Sequence, residues 1–183
     1  MSKIKQLLHN YSKHIAIPWR KDAAPAQRVI FCVYNEQYER ALRARIDEFE
    51  LETTRAGHAW LRFDLTHTFA EWLADQRYAK KYFYQPELLE NLLPKYQGYL
   101  AQRFGDFIEK ERPDAESVVA ISGVGSLFGL LRVRNVVDDF APQVPGRLVV
   151  FFPGSFENNN YRLLDGYDGW NYLAVPITAE KDI

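Results

Sequence analysis

Five apolar side chains run without a break through Arg147-Leu-Val-Val-Phe-Phe152. Neighbouring side chains of a strand point to opposite faces, so a strand made this way needs cover on both. Antiparallel sheets with one wet face alternate apolar and polar residues; unbroken runs belong to parallel sheets sandwiched by helices. The rest of the chain fits that reading. Arg28–Tyr34 is a β-branched and aromatic run, the first strand. Asn35 is placed to cap a helix reaching about Ala56, with Tyr38, Leu42, Ile46, Phe49 and Leu51 at roughly helical spacing. Gly57 ends that helix, and His58–Leu65 reads as a second strand. Strand, helix, strand is the pattern of a βαβ unit with a right-handed crossover.

The second half repeats the alternation. Ser117–Ile121 reads as a strand, followed by a glycine loop, a helix over 126–140, a break from Pro142 to Gly146 and the apolar run. A last strand is expected over Trp170–Pro176. Between the halves, Thr66 can cap a helix through about Asp75. Tyr78–Tyr84 and a long segment from Pro86 toward Glu111, open to interruption at Pro94 and Gly98, complete a helical insertion over 67–112. The N-terminal part, 1–27, carries Ile4, Leu7, Leu8 and Tyr11 on one helical stripe, then an irregular link bracketed by Pro18 and Pro25. The expected fold is a single α/β domain over 1–183, with about five mainly parallel strands flanked by helices on both faces. The tail 178–183 is expected to fray.

Charge narrows the function. Basic residues number 23 and acidic residues 24, a net charge of −1, so no global positive field draws in a nucleic acid, and direct binding to one is not expected. Arg40, Arg43 and Arg45 cluster, and so do Arg132 and Arg134, but Glu36, Glu39, Asp47 and Glu48 interleave with the first group. That mixture reads as a solvated helix face. The single cysteine, Cys32, lies in an apolar strand and reads as a small buried hydrophobe. The N-terminus has no continuous apolar segment of the signal-peptide kind, and no 18-residue apolar stretch exists, so a cytoplasmic protein without a membrane span is expected. Aromatic residues make up 15% of the chain, enough to supply both a ring-rich core and an exposed contact patch.

Four constellations could carry chemistry. Ser122-Gly-Val-Gly-Ser-Leu-Phe-Gly129 follows a strand and precedes a helical pattern, the place where phosphates sit on helix N-termini. A P-loop would need lysine and a hydroxyl after its last glycine, and here Leu130 and Leu131 stand there. Gly123, Gly125, Ser126 and Gly129 are left as a possible anion loop acting through backbone N–H groups, or as a tight turn. Ser126 is not set in Gly-x-Ser-x-Gly, and His9, His14, His58 and His67 all precede it, which defeats the hydrolase order. His58, Asp64 and His67 lie close in sequence but match no compact metal motif, and no metal or cofactor is expected. The 17-residue stretch Pro153–Gly169 is long and polar for a connection. Glu157, Asn159, Asn160, Arg162 and Tyr167 are its candidate partner-binding side chains.

The run Gly125–Gly129, the block Gly146-Arg-Leu-Val-Val-Phe-Phe-Pro-Gly154, then Asn159–Asp165 and Asp168–Ile177 resemble the BrxB family of bacterial BREX phage-defence systems. Pro18-Trp19, Arg43–Glu50 and Ala56–His58 are similar to it as well. The resemblance implies a role in restricting phage beside a phosphatase-fold PglZ protein, a large BrxC ATPase and a PglX methyltransferase. It offers no catalytic residues. The combined expectation is a non-catalytic adaptor that binds a larger BREX protein, PglZ-like first of all, with exposed Trp19, Tyr82, Phe83, Tyr84 and Tyr167 in one patch. The alternative is a nucleotide- or phosphate-sensing module built on 122–129 that does not hydrolyse its ligand. A DNA contact through Arg40, Arg43, Arg132 and Arg134 is the third reading.

Overall fold

In the computed structural model the described residues are 2–166 and 169–180. Six strands form: β1 Val29–Tyr34, β2 Ala59–Asp64, β3 Ser117–Ser122, β4 Arg147–Glu157, β5 Asn160–Leu163 and β6 Val175–Ile177. The sheet order is β2-β3-β4-β1-β6, every neighbouring pair on this path is parallel, and β5 joins β4 antiparallel. This is the expected α/β sheet, with one strand more than the pattern suggested.

Both faces are covered because the central strands are apolar throughout. β1 and β3 are buried at every position, and so is β4 from Leu148 through Gly154. Odd-numbered β1 and β3 residues (Val29, Phe31, Val33, Val119, Ile121) join Leu148, Val150 and Phe152 on one side. Ile30, Cys32, Val118, Ala120, Val149 and Phe151 face the other. The second side receives α1 Lys3–Ile15 through Ile4, Leu7 and Tyr11, α2 Glu39–Arg43 through Leu42, and α3 Ile46–Arg55 through Phe49. The first side receives α4 Thr68–Ala74, α6 Leu93–Glu111 and α7 Val133–Phe140, with Phe104 and Phe140 stacked at 4.0 Å. A short helix, α5 Ala79–Tyr84, lies in the insertion between α4 and α6.

Four local expectations need correction. The helix predicted over 35–56 begins as a 3-10 turn at Glu36–Tyr38 and breaks at Ala44 and Arg45 into α2 and α3. Asn35 does cap its start, accepting from Gln37 N–H at 3.0 Å. Thr66 caps nothing; it bonds back to Asp64, and α4 starts only after His67. Pro94 opens α6 at its first turn, where a missing N–H costs nothing, and α6 runs through Gly98 without a break. The helix predicted over 126–140 forms only from Val133, because Gly129 takes φ +74° and turns the chain out of helical geometry.

Candidate functional site

The carboxyl ends of parallel strands are where α/β proteins gather function. Here they hold a connected polar network. Tyr34, the last residue of β1, donates its hydroxyl to Glu39 Oε2 at the start of α2. Arg43, one turn on, donates Nε to Glu39 Oε1 at 2.7 Å and Nη2 to Thr66 Oγ1 at 2.9 Å. Thr66 in turn gives its hydroxyl and its N–H to Asp64 Oδ1, at 2.6 and 3.0 Å. Burial opposes the Asp64 charge, yet these bonds and the nearby Arg43 and Arg62 outweigh it and hold the carboxyl below its ordinary value. Burial, then the Glu39 carboxylate, pushes the Tyr34 hydroxyl up. On the next strand Arg62 Nε donates to Ser122 Oγ at 3.2 Å. These bonds tie β1, α2 and the β2–α4 turn together. Of its members, the sequence singles out Glu39, Arg43, Asp64 and Thr66, each for another role; Tyr34 carries no signal beyond the end of its strand.

The glycine loop packs against this network. Gly123 has φ +75°, and a Cβ there would stand 2.5 Å from Thr66 N and Oγ1 and 2.6 Å from Asp64 Oδ1. Only glycine tolerates both demands. After it the chain makes one 3-10 turn, Val124–Leu127. Ser126 Oγ shares its one proton between Gly123 O at 2.7 Å and Leu65 O at 3.0 Å, which fastens the loop to the end of β2. The helix end that an anion-binding loop would use is not there, since α7 starts six residues beyond Leu127.

The histidines do not converge. His58 precedes β2 and stacks on Trp19 at 3.7 Å, with Nδ1 3.1 Å from Glu116 O. His67 follows β2, on the order of 20 Å away along the strand. Among the described residues no three His, Cys, Asp or Glu side chains come together in a metal-binding group.

The polar stretch Pro153–Gly169 is largely a β-hairpin, not a loop. β4 continues to Glu157, turns through Asn158 and Asn159, and returns as β5 in the register Glu157↔Asn160, Phe156↔Tyr161, Ser155↔Arg162. Both turn residues have positive φ, 50° and 62°, the left-handed pair that two-residue hairpins require and asparagine tolerates. Alternation along β5 buries Tyr161 and Leu163 and exposes Asn160 and Arg162. Glu157, Asn159, Asn160 and Arg162 thus share the solvent-exposed part of the hairpin, while Tyr167 lies outside the described residues. Tyr161 anchors the base, its ring edge-on to Phe31 at 4.7 Å and its hydroxyl on Ala174 O at 3.0 Å.

Between the hairpin base and α7 lies an open groove of about 1170 Å³. Phe128–Arg132, the N-terminal turns of α7, Leu163 and Trp170 line it. It joins two candidates that sequence alone left apart, because Gly129 forms one wall and the hairpin base the other. Phe128 is 47% exposed there. Of the groove's charges, Asp138 is held by the Tyr172 hydroxyl at 2.8 Å and by Arg134 at 3.8 Å, whereas Arg132 has no ion-pair partner among the described residues.

The expected single aromatic patch does not form. Trp19 packs with the cluster on the α1 side of the sheet and under Arg147, and Tyr82 packs with the cluster on the α7 side. Among the described residues no helix is long and apolar enough to cross a membrane.

The family model described as BREX protein BrxB matches residues 61–176, which spans β2 through most of β6 and so includes the glycine loop, the groove and the hairpin. No curated protein and no solved structure matches the chain. With well over half of its length matched, the chain belongs to the BrxB family and so to BREX phage defence.

Proposed function

We propose that this chain is a non-catalytic BREX component that acts as an adaptor, holding a larger BREX protein against the face formed by the groove and the hairpin. A PglZ-like protein is the first partner to test. The observation that carries the reading is the groove itself. A half-exposed Phe128, an Arg132 with no ion-pair partner among the described residues and the apolar floor of Leu131, Leu163 and Trp170 sit beside a projecting polar hairpin. An apolar centre with a polar rim is the anatomy of a protein contact. The absence of catalysis is supported by the carboxyl-end network, in which the hydroxyls of Tyr34, Thr66 and Ser126 are each engaged by a carboxylate or a backbone carbonyl.

Co-expression with the PglZ-like protein of the same defence system tests the reading. The pair is expected to co-purify, and Phe128→Ala combined with Arg132→Glu is expected to weaken the complex at least tenfold while the melting temperature holds. Tight binding by that double variant would place the contact elsewhere. No complex at micromolar concentration would overturn the adaptor.

A further inference from the structure

The insertion between α4 and α6 has a surface unlike the rest of the molecule. From Ala74 to Lys95 no side chain is buried, although the stretch contains four tyrosine or phenylalanine residues. Tyr78 is 56% exposed, Phe83 68% and Tyr84 87%, the last being the most exposed large ring described. Only Tyr82 turns inward, packed part-buried against the α7-side cluster, and so fixes the helix to the body. Interleaved with these rings are Arg77, Lys80 and Lys81, and Arg77–Gln85 contains no acidic residue.

Several other arginines are neutralised by a carboxylate. Arg20, Arg43, Arg45, Arg55, Arg103 and Arg134 each pair with a neighbouring carboxylate. Arg77, Lys80 and Lys81 pair with none among the described residues, and the Arg77 guanidinium lies over the Tyr78 ring at 5.3 Å. Lys80 and Lys81 are four and three residues before Tyr84, so all three share one helix face. Asp75, Glu87 and Glu90 flank the segment on either side without entering it.

Open ring faces bordered by unpaired cations are what an unpaired nucleic-acid strand offers a match for: bases stack on the rings while phosphates meet the ammonium groups. A duplex presents its phosphates but hides its base faces. We propose that α5 and Tyr78 form a binding platform for single-stranded nucleic acid, with Phe83 and Tyr84 as stacking surfaces and Arg77, Lys80 and Lys81 as phosphate contacts. The platform stands apart from the groove and hairpin and does not depend on the adaptor reading.

Fluorescence anisotropy of the full chain with a labelled 20-nucleotide oligothymidine tests it, beside a duplex of equal length and polyglutamate. The single strand is expected to bind with a dissociation constant on the order of 10⁻⁶ to 10⁻⁴ M, weakening roughly fifteen- to twentyfold from 50 to 200 mM salt if three phosphates are neutralised. Tyr84→Ala and Phe83→Ala are each expected to weaken it between about fivefold and a hundredfold. Phe83→Leu keeps the apolar area but removes the ring, and is expected to lose as much as Phe83→Ala. Because these side chains are exposed, circular dichroism and melting should match the parent protein. Absence of oligothymidine binding at 50 mM salt overturns the proposal. So does equal or tighter binding of the duplex, or of polyglutamate, which would make the surface a dock for acidic protein instead.

Discussion

Two residues carry the turn at the carboxyl end of β3, for different reasons. Gly123 is there for its conformation and for space: φ is +75° and an added methyl would press within 2.6 Å of three atoms of Asp64 and Thr66. Gly123→Ala is therefore expected to destabilise the fold by about 2 kcal/mol or more, combining a left-handed penalty with displacement of a tight turn. Urea unfolding measures it, and a loss under 0.5 kcal/mol would mean the turn relaxes freely. Ser126 is there for its hydroxyl, whose one proton is shared between two backbone carbonyls. Ser126→Ala is expected to cost about 1 kcal/mol and to leave partner binding unchanged. Loss of a measurable enzymatic turnover in that variant, with folding intact, would instead make Ser126 a reacting group. The sequence showed the glycines and the serine but not what they touch, since Asp64 and Thr66 lie some sixty residues earlier and meet the loop only through β2–β3 pairing.

Among the elements, legibility followed the strength of the period. The continuous apolar strands β1, β3 and β4 were readable because burial on both faces leaves no polar position. The hairpin was not, because β5 is four residues long and Asn158-Asn159 looks like any polar turn until both prove left-handed. The helix expected from residue 126 was over-extended because Leu127, Phe128, Leu130 and Leu131 imitate a helical stripe. In the fold Leu127 is buried in the core and Phe128 opens onto the groove instead. Gly98 departs from expectation in the opposite sense, since the helix runs on where a break is expected. It lies exposed within α6, has no positive φ, and nothing stands within 4 Å of where a Cβ would be. Gly98→Ala thus adds helix propensity with no clash, and is expected to raise stability by roughly 0.5–1 kcal/mol. A lower denaturation midpoint in that variant would show that a neighbour needs the space.

At the scale of the whole molecule, the core itself makes the fold sensitive to alkali. Tyr11 and Cys32 are fully buried and Tyr34 nearly so, all on the α1 side of the sheet. Burial pushes all three above their ordinary values of 10.0 for tyrosine and 9.0 for cysteine, helped at Tyr34 by Glu39 and opposed at Tyr11 by the Thr53 hydrogen bond. A group whose pKa is higher folded than unfolded holds its proton longer in the native state. Its contribution is complete below the unfolded value and is lost as pH climbs past it. Each such group removes up to about 1.4 kcal/mol per pH unit above that point. Stability is therefore expected to be level from neutral pH to about 9, then to fall with a slope that steepens once tyrosine begins to ionise in the unfolded chain. Cys32→Ala removes one of the three and should make the fall between pH 9 and 10 shallower, even though its smaller side chain lowers the plateau. Urea midpoints taken from pH 7 to 11 separate the two effects. If the variant's curve runs parallel to the parent's across that window, the buried thiol contributes nothing to the alkaline transition, and the sensitivity rests on the tyrosines that burial pushes up, Tyr96, Tyr161 and Tyr172 among them.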